Sequence, residues 1–311
     1  MIPVGTNLRL KNTPWVTCAI LALNWLIFLF SSGFQFDIQY WIHRYMLAIP
    51  GEQYPWQLIT SMFFHADIYH IIGNSVFLAA FGPTVEDKLG WKTYIFFYLL
   101  TGIAGNIVHS AVTGLFMRDD LFVPGLGASG AISGIMGVYL YRCYYSKVKF
   151  MVSLFLPFIP PLKIPAVVIL SLWFLKDLIG GIGAIRGESE RVAFWAHVGG
   201  FAAGFGACGY LRYEIQAKRE KLAFVVEREQ DQFGGTGKVI EACEKLLKDD
   251  PRNPEWHLRM AQALGRLTSP PQAKEHYLEA IKLLLGKNPD QAVDVFVEYW
   301  KKYLSPMEPR Y

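Results

Sequence analysis

The sequence predicts an all-α polytopic membrane protein: a bundle of six transmembrane helices followed by a small soluble helical C-terminal domain. Three observations carry this. Hydrophobic residues make up 52% of the 311-residue chain and the mean hydropathy is positive, which is high for a soluble protein. Apolar segments run at about 15–32, 68–82, 91–113, 127–145, 164–182 and 194–213. Charge is concentrated behind them: residues 1–213 hold 14 Lys+Arg and 10 Asp+Glu, whereas the shorter stretch 214–311 holds 16 and 16.

The division is therefore a membrane domain at 1–213, a charged linker at 214–233 that extends the sixth helix into water, and a soluble tail at 234–311. The net charge of +4 lies wholly in the membrane domain. That points to orientation in a lipid bilayer rather than to nucleic acid. Cys18, Cys143, Cys208 and Cys243 form no CxxC pair and suggest no disulfide framework.

Segment one follows Arg9 and Lys11. Its run from Trp15 to Phe30 is long for a signal peptide and no A-x-A site follows, so it reads as a retained helix. A span needs roughly 20 residues. Segments two and four are short or Gly-rich and require other helices around them. Pro157, Pro160, Pro161 and Pro165 forbid a regular helix before about 164, which makes 150–163 an interfacial loop.

Six crossings put both termini on one side. If that side is the cytoplasm, Arg9, Lys11, Lys88, Lys92, Arg142, Lys147, Lys149, Lys163 and Arg212 lie inside. Arg44, Arg118, Lys176, Arg186 and Arg191 lie outside. The excess of cations inside favours cytoplasmic termini; a bacterial-type plasma (inner) membrane is the expected location. In the tail, Gly234, Gly235 and Gly237 break the helical pattern. Beyond them Val239, Ala242 and Pro251 echo Tyr277, Ala280 and Pro289 at 38 residues. Ala261, Ala273, Tyr277 and Ala280 have the spacing of small and aromatic residues in a tetratricopeptide repeat, which the tail resembles. That resemblance implies a cytoplasmic protein partner; an ordinary helical tail is the plainer alternative.

Polar residues inside membrane segments are costly, so each is a functional suspect. His70 and Asn74 in segment two, Ser129 opening segment four and His197 near the start of segment six fall at one depth in this topology. Ser129 sits in Gly127-Ala128-Ser129-Gly130. The glycines let backbone approach nucleophile and substrate closely. A helix starting there aims free N–H groups at a developing oxyanion. Small residues also serve plain helix packing, and Gly130, Gly134 and Gly137 fit that reading as well. His197 shares a helical face with Gly200 and Gly204. This stripe lets segment six approach segment four and bring the imidazole to the Ser129 hydroxyl, which needs a base to act as a nucleophile. The stripe is expected to accept Ala far better than Leu. His70 and Asn74, at i and i+4, can donate to an oxyanion; helix–helix hydrogen bonding is their plainer role. His65 and His70 are badly spaced for metal ligation and no H-E-x-x-H occurs, so no metal or cofactor is expected. His43 and His109 have no assigned role.

These residues together resemble the rhomboid family over about 15–213. His70-x-x-x-Asn74 matches its second-helix motif, and Gly82-x-x-x-Glu86-x-x-x-Gly90 its turn between helices two and three. Gly127-Ala128-Ser129-Gly130 is similar to its nucleophile motif. Ala196-His197-x-x-Gly200-x-x-x-Gly204 matches its base-bearing sixth helix. The resemblance implies the six-helix rhomboid bundle and a Ser-His dyad without a third acid. It implies an oxyanion site from the Ser129 N–H, His70 and Asn74. It also implies cleavage of transmembrane protein substrates within or beside their membrane helix. Two positions depart from the family. Trp56-Gln57 stands where many members have Trp-Arg, and Ser133 stands where some have a tyrosine stacked on the base. A rhomboid-like binder of membrane helices without catalysis is the competing reading, and the joint presence of Ser129 and His197 favours the protease. A transporter or channel leaves the Ser-His-Asn set without a purpose.

Overall fold

The computed structural model describes residues 2–32, 42, 44, 46–151, 160–188, 192–230, 234–267 and 270–305. The chain divides into two compact units, Met1–Glu214 and Ile215–Tyr311.

In the first unit the apolar segments become helices α1 (Trp15–Ser32), α2 (Ile68–Leu89), α3 (Trp91–Phe116), α4 (Ser129–Cys143), α5 (Ala166–Ile185) and α6 (Phe194–Tyr210). Among the described residues, α2, α3 and α5 are long and apolar enough to cross a membrane; α1 is apolar but slightly shorter. Leu26 and Phe30 on α1, Phe96 and Ile107 on α3, and Leu172 and Ile179 on α5 are exposed. Large apolar side chains turned outward on several helices are the mark of a lipid-facing surface. α4 is short and lies inside, with Gly130, Ala131, Ile132, Gly134 and Ile135 all buried. The core around it holds Phe81, Tyr94, Phe97 and Tyr98, and α4 adds Tyr139.

α2 runs past the expected end at 82, through Pro83, to Leu89. Its far end explains the Gly82, Glu86 and Gly90 spacing. The buried Glu86 carboxylate accepts from Val16 N (2.9 Å), Thr17 N (2.8 Å) and the Thr17 hydroxyl (2.7 Å). These are N–H groups that the first turn of α1 leaves unpaired. A Cβ on Gly82 would lie 2.7 Å from the Tyr94 hydroxyl and 2.9 Å from the Thr17 methyl, so any side chain there pushes on the side chains through which α1, α2 and α3 meet. Gly90 closes α2 with φ +76°, a conformation that favours glycine.

The all-α expectation needs correction. Strands β1 (Ile2–Thr6), β2 (Lys147–Met151) and β3 (Leu162–Pro165) form an antiparallel sheet in the order β1-β2-β3. Ile2 pairs with Met151 and Val148 with Ile164. Val148 and Phe150 are buried between more exposed lysines, the alternation of a half-buried strand. The interfacial loop expected at 150–163 is thus bounded by strands, and its central residues 152–159 lie outside the described residues.

In the second unit, α7 (Glu214–Glu229), α8 (Thr236–Asp249), α9 (Pro254–Leu264), α10 (Pro270–Leu285) and α11 (Pro289–Tyr303) follow. The expected linker at 214–233 is instead largely α7. α6 stops at Tyr210, a turn follows with Arg212 at φ +55°, and α7 buries Val226 against Val239, Cys243 and Met260. Helix starts recur 34 residues apart (236 to 270) and 35 apart (254 to 289), not 38. The repeated signal is an Asn N-cap followed by Pro, at Asn253-Pro254 and Asn288-Pro289. Ala261, Ala273, Tyr277 and Ala280 are fully buried. Burial raises the Cys243 thiol to about 12, which fits an inert core side chain.

Candidate active site

The turn before α4 sets the site. Gly127 adopts φ +116°, which a side chain rarely allows, and its N–H donates to the Ser61 carbonyl at 2.9 Å. Ala128 is fully buried and Ser129 opens the helix. Helix geometry leaves the first backbone N–H groups of α4 without intrahelical partners at the position of the Ser129 side chain.

α6 crosses α4 along glycines. A Cβ on Gly200 would collide with the Gly130 carbonyl oxygen, and one on Gly204 with that of Gly134. At both positions the obstacle is backbone, which cannot rotate away, so alanine already meets it and leucine brings further atoms against it. The close crossing brings His197 Nε2 to 2.8 Å from Ser129 Oγ. A neutral imidazole accepts there while the hydroxyl donates.

α2 supplies two more groups. Asp67 caps it, accepting from His70 N at 2.9 Å. The Ala66 N–H donates to His70 Nδ1 at 3.5 Å, so the neutral ring carries its proton on Nε2. That nitrogen faces Gly127: a Cβ there would lie 2.7 Å from His70 Nε2 and 3.5 Å from Asn74 Nδ2. Asn74 Nδ2 is buried with no hydrogen-bond partner among the described residues. Two N–H donors thus converge on the loop that carries the serine. His65, outside the helices, meets His70 edge-on at 5.2 Å, and burial lowers its imidazole to about 4. Among the described residues no three His, Cys, Asp or Glu side chains are placed to hold a metal ion.

A cavity of about 1230 Å³ opens on these groups. His70, Asn74, Ser129, Ser133 and His197 line it. Phe77, Ile132, Met136 and Trp173 give it an apolar wall. Gly82, Glu86 and Gly90 lie away from it, at the other end of α2. At the first departure, Gln57 is fully buried; its Oε1 accepts from Tyr54 N at 2.8 Å and its Nε2 donates to the Arg44 carbonyl at 3.0 Å. At the second, Ser133 is too small to cover the imidazole, and Phe194 meets that ring edge-on at 6.5 Å.

Sequence reasoning missed Asp177. This acid of α5 lines the same cavity, with Oδ2 3.2 Å from His197 Nδ1. The rule that flags polar residues in membrane segments applies to it equally.

A family model described as "Rhomboid domain" matches residues 52–214. Over 133 residues the chain is 34% identical to "Putative rhomboid protease YdcA" of Bacillus subtilis (strain 168), covering 42% of this chain and 63% of that protein. It is 28% identical over 182 residues to "RHOMBOID-like protein 12, mitochondrial" of Arabidopsis thaliana, covering 54% and 50%. It is 28% identical over 213 residues to "Rhomboid-like protease 3" of Toxoplasma gondii, covering 66% and 71%. The chain spans between half and two thirds of the first two relatives' own length. With the family model matching over half of its residues, the chain belongs to the rhomboid family.

Proposed function

We propose that this chain is an intramembrane serine endopeptidase that cuts transmembrane protein substrates in or next to their membrane helix. The observation that carries the reading is the 2.8 Å approach of Ser129 Oγ to His197 Nε2 in a cavity with an apolar wall. As His197 Nε2 takes the hydroxyl proton, Ser129 Oγ bonds to the scissile carbonyl carbon. The carbonyl oxygen becomes an oxyanion, met by the Ser129 N–H, His70 Nε2–H and Asn74 Nδ2–H. Collapse breaks the C–N bond, and His197 returns the proton to the leaving amine. Water then attacks the acyl-enzyme, giving a proton to His197; collapse breaks the bond from the carbonyl carbon to Ser129 Oγ, His197 returns the proton to that oxygen, and the new carboxyl end leaves.

In this reading α1–α6 are the six spans and both termini face the cytoplasm. The helical second unit is a tetratricopeptide-like module that binds a cytoplasmic partner; its helix starts at 34 and 35 residues support this. The test is a fluorophosphonate probe and a membrane-helix substrate in detergent. The wild type labels and cleaves, and Ser129→Ala does neither. A wild type that binds the membrane helix without cutting it establishes the silent binder instead.

A further inference from the structure

We infer that Asp177 is a positioning residue for the base: it fixes the tautomer and rotation of His197, so that the site works as a serine–histidine–aspartate triad. This rests on the proteolytic reading of Ser129 and His197.

The two ring nitrogens of His197 face different partners. Nε2 lies 2.8 Å from Ser129 Oγ and Nδ1 lies 3.2 Å from Asp177 Oδ2. An ionised carboxylate only accepts. Facing Nδ1, it holds the proton there and leaves the lone pair on Nε2 directed at the serine. When Nε2 takes the serine proton the ring becomes a cation, and the carboxylate beside it stabilises that charge without itself taking a proton.

The placement of Asp177 is fixed by packing. Phe174, Asp177 and Gly181 are spaced to share one face of α5. At one end of that face Phe174 lies against Phe201 of α6, ring centroids 4.9 Å apart. At the other, Trp195 Nε1 donates to the Gly181 carbonyl at 3.0 Å, and a Cβ on Gly180 would lie 2.7 Å from the Phe194 ring. Asp177 sits between these contacts as His197 sits between Trp195 and Phe201. Ser133 offers no ring to hold the imidazole from α4, so the support at Nδ1 comes from α5.

The plainer explanation of Asp177 is its neighbour. Lys176 Nζ lies 3.7 Å from Asp177 Oδ1. That lysine side chain is 71% exposed, whereas Asp177 and His197 are 21% and 18% exposed. Adjacent residues on a helix do not face each other, and an exposed pair contributes little. Lys176 also lies at the other oxygen, leaving Oδ2 to the imidazole.

The experiment compares kcat and KM of full-length wild type, Asp177→Asn, Asp177→Glu and Ser129→Ala on one membrane-helix substrate. Asp177→Asn is expected to lower kcat about 10²-fold, the order reached when a catalytic group shifts by about 1 Å, with KM and melting temperature little changed. Asp177→Glu restores part of that loss. Full kcat in Asp177→Asn overturns the inference, as does a loss confined to KM and melting temperature. Nitrogen NMR of histidine-labelled wild type, with His197 assigned by His197→Gln, reads the same point without altering Asp177. The proton is expected on Nδ1, and a proton on Nε2 in the resting neutral ring overturns the inference. Cleavage that survives in Ser129→Ala removes Ser129 as the nucleophile, a result separate from these.

Discussion

A methyl group placed on Gly200 collides with the carbonyl oxygen of Gly130. The two helices that carry His197 and Ser129 are therefore separated by a backbone-to-backbone contact. Gly200→Ala or Gly204→Ala must push α6 from α4, since overpacking of this kind costs about 1–3 kcal/mol. Displacement of His197 by about 1 Å costs roughly 10²-fold in rate. Thermal melting and turnover measured side by side in detergent should fall together, and wild-type turnover in Gly200→Ala would show that the contact yields freely.

Ser129 and His197 act as one unit in the proposed reaction, so their losses should not add. Ser129→Ala, His197→Ala and the double variant are each expected to be inactive to the same degree. The proteins should remain folded, as judged by helical circular dichroism and melting. A double variant far slower than either single one would mean that each residue acts alone.

His70 Nε2 and Asn74 Nδ2 converge on the Gly127 turn, and in the proposed reaction they share the oxyanion with backbone N–H groups. Removing one donor of this kind costs about 10²–10³ in rate where it is the main one. Shared among several donors, the loss for His70→Ala or Asn74→Ala should be smaller and measurable, and falls on kcat. The double variant should lose more than either; if it turns over at the wild-type rate, these side chains do not meet the oxyanion.

Glu86 holds the start of α1 through three accepted hydrogen bonds. Hydrogen bonds to a charged group contribute about 1.5–3 kcal/mol. Glu86→Gln keeps the shape but sets an N–H₂ against N–H donors, so melting temperature should drop. His70 and Glu86 are 16 residues apart on α2, about 24 Å at 1.5 Å per residue. The kcat of the folded fraction should thus stay near that of the wild type. Equal stability in the two proteins would remove the capping role.

The unit boundary after Glu214 gives a prediction about truncation. A chain ending at 214 should still turn over a minimal membrane-helix substrate. A chain ending near Gly234 keeps α7 but removes the helices that cover Leu222, Val225 and Val226, and should aggregate in size-exclusion chromatography. If the chain ending at 214 is folded yet inactive, the second unit takes part in catalysis.

The helices were legible because most of them carry long apolar runs, and the candidate site because His70, Asn74, Ser129 and His197 are polar groups in apolar segments. Other features lay beyond periodicity. The face of the Gly200–Gly204 stripe follows from spacing, but its distance from α4 does not, and that distance decides whether alanine fits. β1 holds Pro3 and Gly5 and pairs with residues far along the chain, so nothing local marks it as a strand. Asp177 follows Lys176 in sequence, and the pair reads as surface charge until α6 is placed beside it. The 38-residue echo in the tail aligns Pro251 with Pro289, whereas the proline that starts a helix there is Pro254.

The sheet bears on the order of assembly. β1 pairs Ile2 with Met151 and Thr6 with Val148, so it emerges from the ribosome about 140–150 residues ahead of its partner strand. At about 5–20 residues per second that wait is roughly 7–30 s. Extra loop length adds little to the free-energy cost of closure, about 0.6 kcal/mol per doubling, but such distant pairings form late. β1 is thus a latch that cannot shut until α1 to α4 have been made.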